Sequence, residues 1–224
     1  MTEKNKLTII VGHYGSGKSE FAVNYAKRLN HEGDKVCLAD LDIVNPYFRS
    51  RETREVLTEQ GIEVVSDTLN STKGLDMPYL SPSIKGHIIN SNQRMILDCG
   101  GDHVGARVLK QYLADIKNRN YEVFMIINVF RPETSSVDQI IGMKNKLENE
   151  TGLKINYFIN NSNFLRETTI EDMIYADRIL KEASKETHVP IKYVSGLTAL
   201  LTQLPESVSG ERFMFDLSLR SDWM

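Results

Sequence analysis

The sequence predicts an α/β protein in three layers, with a mostly parallel central sheet and helices on both faces. Three observations predict it. Short β-branched apolar runs alternate with amphipathic helical stretches along the whole chain, the signature of repeated strand–helix units. The strand-like runs are apolar without alternation, as strands covered on both sides are. No internal repeat, low-complexity tract or linker interrupts the 224 residues, so one domain over residues 1–224 is expected.

The elements follow in order. Residues 7–11 form a short apolar run, the first strand. In 19–29, Phe21, Ala22, Tyr25, Ala26 and Leu29 share one helical face, and Gly33 stops that helix. Residues 36–41 are the second strand. The polar, Arg-rich stretch 49–60 reads as a helix ending at Gly61, and 62–65 as a third, short strand. Residues 66–83 hold Asn, Ser, Thr, Gly and two Pro, which suits a functional or mobile loop better than a domain boundary. Residues 95–97 are a strand leading into Asp98. Ala106, Leu109, Leu113 and Ile116 mark a helix, and 123–129 the next strand. Val137, Ile140, Ile141 and Leu147 give another helix, and 155–159 a strand. Ile170, Met173, Ile174, Leu180 and Ala183 line a long helix before a last strand at 191–194. Beyond it, Phe213, Phe215, Leu217, Trp223 and Met224 are apolar. They either dock back onto the domain or form a partner-binding tail.

Composition removes several classes of function. The 27 Lys and Arg against 30 Asp and Glu leave a net charge of −3, with no basic excess for nucleic acid or an anionic membrane. The longest apolar runs fall far short of the roughly 18 residues a membrane span needs. Polar residues reach to Lys6 and the first apolar run stops at Gly12, which is not a secretory signal. The two cysteines, Cys37 and Cys99, sit in or beside apolar runs without a CxxC pair. Buried free thiols in a reducing cytoplasm are the expectation.

The first strand runs into Gly12-His13-Tyr14-Gly15-Ser16-Gly17-Lys18-Ser19, a G-x-x-x-x-G-K-S phosphate loop. Its glycines let backbone N–H groups surround phosphate oxygens. The next helix, carrying Glu20 in its first turn, points its positive end at the same anion. Lys18 would reach the β- and γ-phosphates and the Ser19 hydroxyl would bind Mg²⁺. Such a match arises by chance in roughly one chain of this size in a hundred. Asp98-Cys99-Gly100-Gly101 reads D-x-x-G. Asp98, at a strand's end, is placed to hold Mg²⁺, usually through water, and Gly101 to let its loop sense the γ-phosphate. Asp40 and Asp42 lie on one side of the second strand by its period of two. One would reach the metal's water shell and the other position the attacking water; Asp42 is the residue favoured for both the metal site and catalysis.

Taken together, these segments resemble the MinD/ParA-like branch of P-loop ATPases. GHYGSGKSE, LADLDIVNPYFRSRE, ILDCGGDHVGAR, NVFRPET and INNSNFLRETT are similar to a bacterial family of MinD/ParA-like ATP-binding proteins. The resemblance implies a three-layer P-loop NTPase fold, ATP with Mg²⁺, hydrolase activity, and a protein partner or homodimer. It departs at His13, where these ATPases carry a signature lysine that reaches the partner subunit's phosphates. Arg49 and Arg51 follow the D-x-D element and are candidates for the missing charge.

Asn160-Asn161-Ser162-Asn163 occupies the place of the N-K-x-D guanine reader. Asn163 has no carboxylate for guanine's two N–H groups, while Asn160 or Asn161 could bond adenine. ATP is therefore expected over GTP. Asp102-His103 fits a switch loop better than a catalytic pair. The reading favoured is a slow Mg²⁺-dependent ATPase acting as a switch for a protein partner. A small-molecule phosphotransferase and an ATP-dependent biosynthetic enzyme remain open on the same loop.

Overall fold

The computed structural model describes residues 6–41, 51–66, 82–90, 92–101, 109–215 and 217. Eight strands form one sheet: β1 (Leu7–Gly12), β2 (Val36–Leu41), β3 (Glu63–Ser66), β4 (Arg94–Cys99), β5 (Tyr121–Ile127), β6 (Tyr157–Asn160), β7 (Ile191–Leu197) and β8 (Glu211–Phe215). Their order across the sheet is β3-β2-β4-β1-β5-β6-β7-β8, and every neighbouring pair is parallel. The helices are α1 (Lys18–His31), α2 (Arg51–Glu59), α3 (Pro82–Ile89), α4 (Leu113–Lys117), α5 (Val137–Thr151), α6 (Ile170–Thr187) and α7 (Thr198–Leu201). The expected three-layer α/β architecture is present.

Strand alternation divides the core between the two faces. Leu7, Ile9 and Val11 of β1 pack with Ile84 and Ile88 of α3, Ile140 of α5 and Leu180 of α6. Ile10, between them, packs on the other face with Phe21, Ala22, Tyr25 and Ala26 of α1. That α1 face carries an aromatic cluster in which Phe21 and Phe213 of β8 lie 4.8 Å apart between ring centroids. At the start of the strands, buried Glu122 receives Lys6 at 2.9 Å, Lys192 at 3.0 Å and the Thr8 hydroxyl at 3.2 Å. Its charge is thereby compensated, as burial requires.

The chain runs outward from β1 to β2 and β3, returns to β4, and only then crosses to β5. β1 therefore stands where the order reverses, and its C-terminal end opens at the topological switch point. Six strands match the expected positions within one to three residues, and β2 matches at both ends. The differences are specific. Asp98 lies inside β4, one residue before its end, not after it. The helix expected from Ala106 is interrupted: α4 starts at Leu113 after Tyr112, and Ala106 lies outside the described residues. The apolar tail supplies an eighth strand, with Phe213 2% exposed, so residues 211–215 dock back; Trp223 and Met224 lie outside the described residues. Cys37 and Cys99 are buried free thiols, as expected. No helix among the described residues is long and apolar enough to cross a membrane.

Candidate functional site

The site begins where β1 ends. Gly12 closes the strand and residues 13–17 arch over to α1. The arch is held from inside: the His13 carbonyl accepts Ser16 N–H at 3.2 Å and the Lys18 ammonium at 3.1 Å. Gly17 caps α1 with φ +85° and no side chain, a left-handed conformation that favours glycine. The first-turn N–H groups of α1 therefore have no side-chain cap from Gly17, the arrangement that receives an anion at a helix N-terminus. Lys18 is 6% exposed, and Ser19 lines the adjoining cavity. Glu20 lines the cavity too, and its carboxylate accepts from Asn24 Nδ2 at 3.0 Å.

The acidic residues stand beside this loop. Ile10, Asp98 and Asp40 are laterally paired across β1, β4 and β2. Leu38 and Ile96, two positions earlier, belong to the α1-face core. Asp40 and Asp98 therefore share that face, below the start of α1, and both are buried. Hydroxyl and carboxylate oxygens are the donors a hard divalent cation takes, so Ser19, Asp98 and Asp40 fit Mg²⁺. Asp42, assigned to the metal site and to the attacking water, lies outside the described residues. So do Arg49, the Asp102-His103 pair and most of the 66–83 loop; Arg51 is described in its backbone only.

Gly101 lies against the phosphate loop. A Cβ there would stand 2.5 Å from the Tyr14 nitrogen and 2.9 Å from Lys18 Nζ. The D-x-x-G segment thus reaches the loop through a residue whose lack of side chain allows the approach.

Two further segments clasp the loop. Asn161 is 3% exposed; its Nδ2 donates to the Ser16 carbonyl at 2.8 Å and its Oδ1 accepts from Ser195 Oγ at 2.8 Å. Asn160 is fully buried: its Oδ1 accepts from Ser162 N–H, and it does not line the cavity. Asn163 donates to the Asn161 carbonyl at 2.7 Å and accepts from Leu165 N–H at 3.1 Å. These amides build the loop that was expected to read the base. From the β5 side, Arg131 Nε donates to the Gly15 carbonyl at 3.1 Å. His13 Nδ1 lies 2.9 Å from the Tyr14 carbonyl and 3.4 Å from Glu133. Asn128 ties the two clasping loops: its Oδ1 accepts from Phe130 N–H and Asn163 N–H, and its Nδ2 donates to the Asn163 carbonyl.

A cavity of about 350 Å³ opens between these parts. Gly15, Lys18 and Ser19 form its polar end, and Phe164, Leu197 and Phe215 belong to its apolar wall. Phe164 stacks on Phe130 with centroids 4.1 Å apart. Ser195, Gly196 and Leu197 also line the cavity. The sequence reading gave no role to Arg131, Phe130 or Phe164, which it held only within NVFRPET and INNSNFLRETT. The available signal was an arginine and an aromatic side by side at the end of the buried strand β5.

No known protein family and no curated protein matches the chain in sequence. Solved structures do match its fold. Cell division protein FtsY from Thermotoga maritima is 20% identical with a TM-score of 0.55, over 85% of this chain and 61% of that one. The signal recognition particle 54 kDa protein from Aeropyrum pernix, in complex with GDP, is 17% identical with a TM-score of 0.52, over 81% and 40%. A nucleotide-binding protein in complex with ADP from Archaeoglobus fulgidus is 14% identical with a TM-score of 0.53, over 96% and 84%. The chain spans about three fifths of the FtsY structure it matches. These likenesses establish a P-loop NTPase-like α/β fold.

Proposed function

We propose that the chain is a Mg²⁺-dependent, ATP-binding switch of the MinD/ParA-like kind, one domain that hydrolyses ATP slowly and presents its nucleotide state to a protein partner or a second copy. The observation that carries this reading is the phosphate loop at the end of β1. There the Lys18 ammonium and the uncapped first turn of α1 stand at the polar end of a cavity, and the laterally paired, buried Asp40 and Asp98 lie on the sheet face that α1 covers. Lys18 and the α1 N–H groups would hold the β- and γ-phosphates. Ser19 would ligate Mg²⁺ directly, and Asp98 would hold its water shell. Mg²⁺ would neutralise the charge developing between the phosphates.

Adenine is favoured over guanine by the loop after β6. Asn163 stands where a guanine reader places its carboxylate, and its amide is engaged in both directions within the loop. Asn161 is likewise engaged with Ser16 and Ser195. The base would then rest in the apolar wall near Phe164 and Leu197 and be read by backbone groups of the 195–197 turn. Among the matched structures, the Aeropyrum pernix protein holds GDP and the Archaeoglobus fulgidus protein holds ADP, so the fold does not choose the base.

The test is calorimetric. Wild-type protein should bind MgATP at least tenfold more tightly than MgGTP, and Lys18→Ala should abolish both. Unchanged ATP affinity in Lys18→Ala would overturn the phosphate-loop assignment. Light scattering with a non-hydrolysable ATP analogue then reads the switch: a doubled mass identifies a second copy as the nucleotide-state partner.

A further inference from the structure

At the opposite end of the sheet from the phosphate loop, three residues of metal-ligand type converge. Cys37 is the second residue of β2 and Glu63 the first of β3. They are directly paired in the parallel ladder, so their side chains leave the sheet on the same face. That face is the one α3 covers, and His87 lies in the last turn of α3. One ligand atom from each of Cys37, Glu63 and His87 lies within 4.8 Å of the other two.

The geometry is close to that of a bound ion. Metal bonds of 2.0–2.3 Å in a tetrahedron place ligand atoms about 3.3–3.8 Å apart. His87 Nε2 and Glu63 Oε1 already stand 3.4 Å apart. The remaining closure falls on the sulfur contacts, and Glu63 is half exposed and His87 only partly buried, so both can follow.

The surroundings can present the imidazole as metal-bound histidines are presented. The Gln93 amide nitrogen lies 2.9 Å from His87 Nδ1; a half-turn of that amide puts its oxygen against the ring, where it accepts the Nδ1–H. The lone pair then sits on Nε2, the nitrogen that faces Glu63. Arg119 holds this corner from behind, donating to the carbonyls of His87, Ile88 and Gln93.

We propose that Cys37, Glu63 and His87 bind a zinc ion, with water in the fourth position, as a clasp joining β2, β3 and α3. Sulfur, imidazole and carboxylate together suit Zn²⁺ and not Mg²⁺ or Ca²⁺. On binding, the Cys37 S–H proton leaves to solvent and the thiolate takes its place on the metal. This site shares no residue with the phosphate loop and does not depend on the nucleotide reading.

The experiment titrates reduced, metal-free full-length protein with Co²⁺ and records the near-ultraviolet thiolate-to-cobalt band. One equivalent should produce the band. Cys37→Ser should remove it, and His87→Gln, which alters a partly exposed residue and leaves the core intact, should weaken Co²⁺ binding at least tenfold. Gln93→Ala should weaken it about 10–100-fold. Zn²⁺ should raise the melting temperature of the wild type and not of His87→Gln. No band in the folded wild type, or an equal band and affinity in His87→Gln, would overturn the proposal.

Discussion

Asn161 Nδ2 donates to the carbonyl of Ser16 at 2.8 Å, across 145 positions of sequence. The bond ties the end of β6 to the middle of the phosphate loop. The same amide accepts from Ser195 Oγ, so one side chain joins the loop, β6 and β7. Asn161→Ala should cost about 2–4 kcal/mol in urea unfolding, because it strands two buried polar groups. Asn161→Asp separates donor from acceptor: it can still accept from Ser195 but cannot donate to Ser16. ATP affinity should therefore fall about tenfold in both variants; wild-type affinity in Asn161→Asp would remove the loop-anchoring role.

Gly101 and Gly142 make a matched pair of tests. A Cβ at Gly101 would press on Tyr14 and Lys18, whereas one at Gly142, in the middle of α5, would meet nothing within 4 Å. Gly101→Ala should lower ATP affinity or turnover at least tenfold and cost about 1–3 kcal/mol, the usual range for overpacking. Gly142→Ala should raise stability by about 0.5–1 kcal/mol by restricting the unfolded chain and restoring helix propensity, with nucleotide binding unchanged. Equal behaviour of the two variants in calorimetry would show that Gly101 does not constrain the loop.

What was legible in the sequence was what is local. Residues 12–19 carry their own turn chemistry, and a strand and a helix flank them, so β1, the loop and α1 were read nearly to the residue. β2 was equally plain, because both of its ends are marked by polar residues. β8 was not. Its five residues expose Glu211 and Met214 and fully bury only Phe213, and its support is pairing with β7 and contact with Phe21 of α1. The site divides in the same way. Lys18 and Asp98 announced themselves by motif. Arg131 acts on Gly15 from 116 positions away, and no window of sequence contains both. Asn161 was expected to face a base; its bond to Ser16 is likewise a product of the fold.

The metal-free protein should lose stability at alkaline pH. Burial, reinforced by Glu63, pushes the Cys37 thiol up to about 12 from 9.0. Burial, with Glu122, also raises Tyr25, and burial, with Glu211, raises Tyr193. For each group the folded state keeps its proton longer than the unfolded state. Its contribution is intact below the unfolded value and is lost as pH rises toward the folded one. Stability should be flat to about pH 8.5 and then fall, each group adding up to about 1.4 kcal/mol per pH unit. Urea unfolding between pH 8 and 10.5 reads this, and Cys37→Ala should flatten the first part of the decline. A pH-independent midpoint over that range would contradict the assignment.

Arg131 is placed to supply in cis the charge that His13 does not. Its Nε is fixed on the Gly15 carbonyl, and Arg131 lines the cavity proposed to receive the phosphates, so its remaining N–H groups can turn toward an anion. A guanidinium offers a planar, permanently charged fork, and an ammonium on a flexible stem does not reproduce it. Arg131→Ala should therefore weaken MgATP binding about tenfold, with Arg131→Lys recovering only part of the loss. A contact to the γ-phosphate predicts a larger loss for ATP than for ADP, whereas a role confined to bracing Gly15 predicts equal losses. Calorimetry with both nucleotides distinguishes them, and wild-type affinity for both in Arg131→Ala would exclude either role.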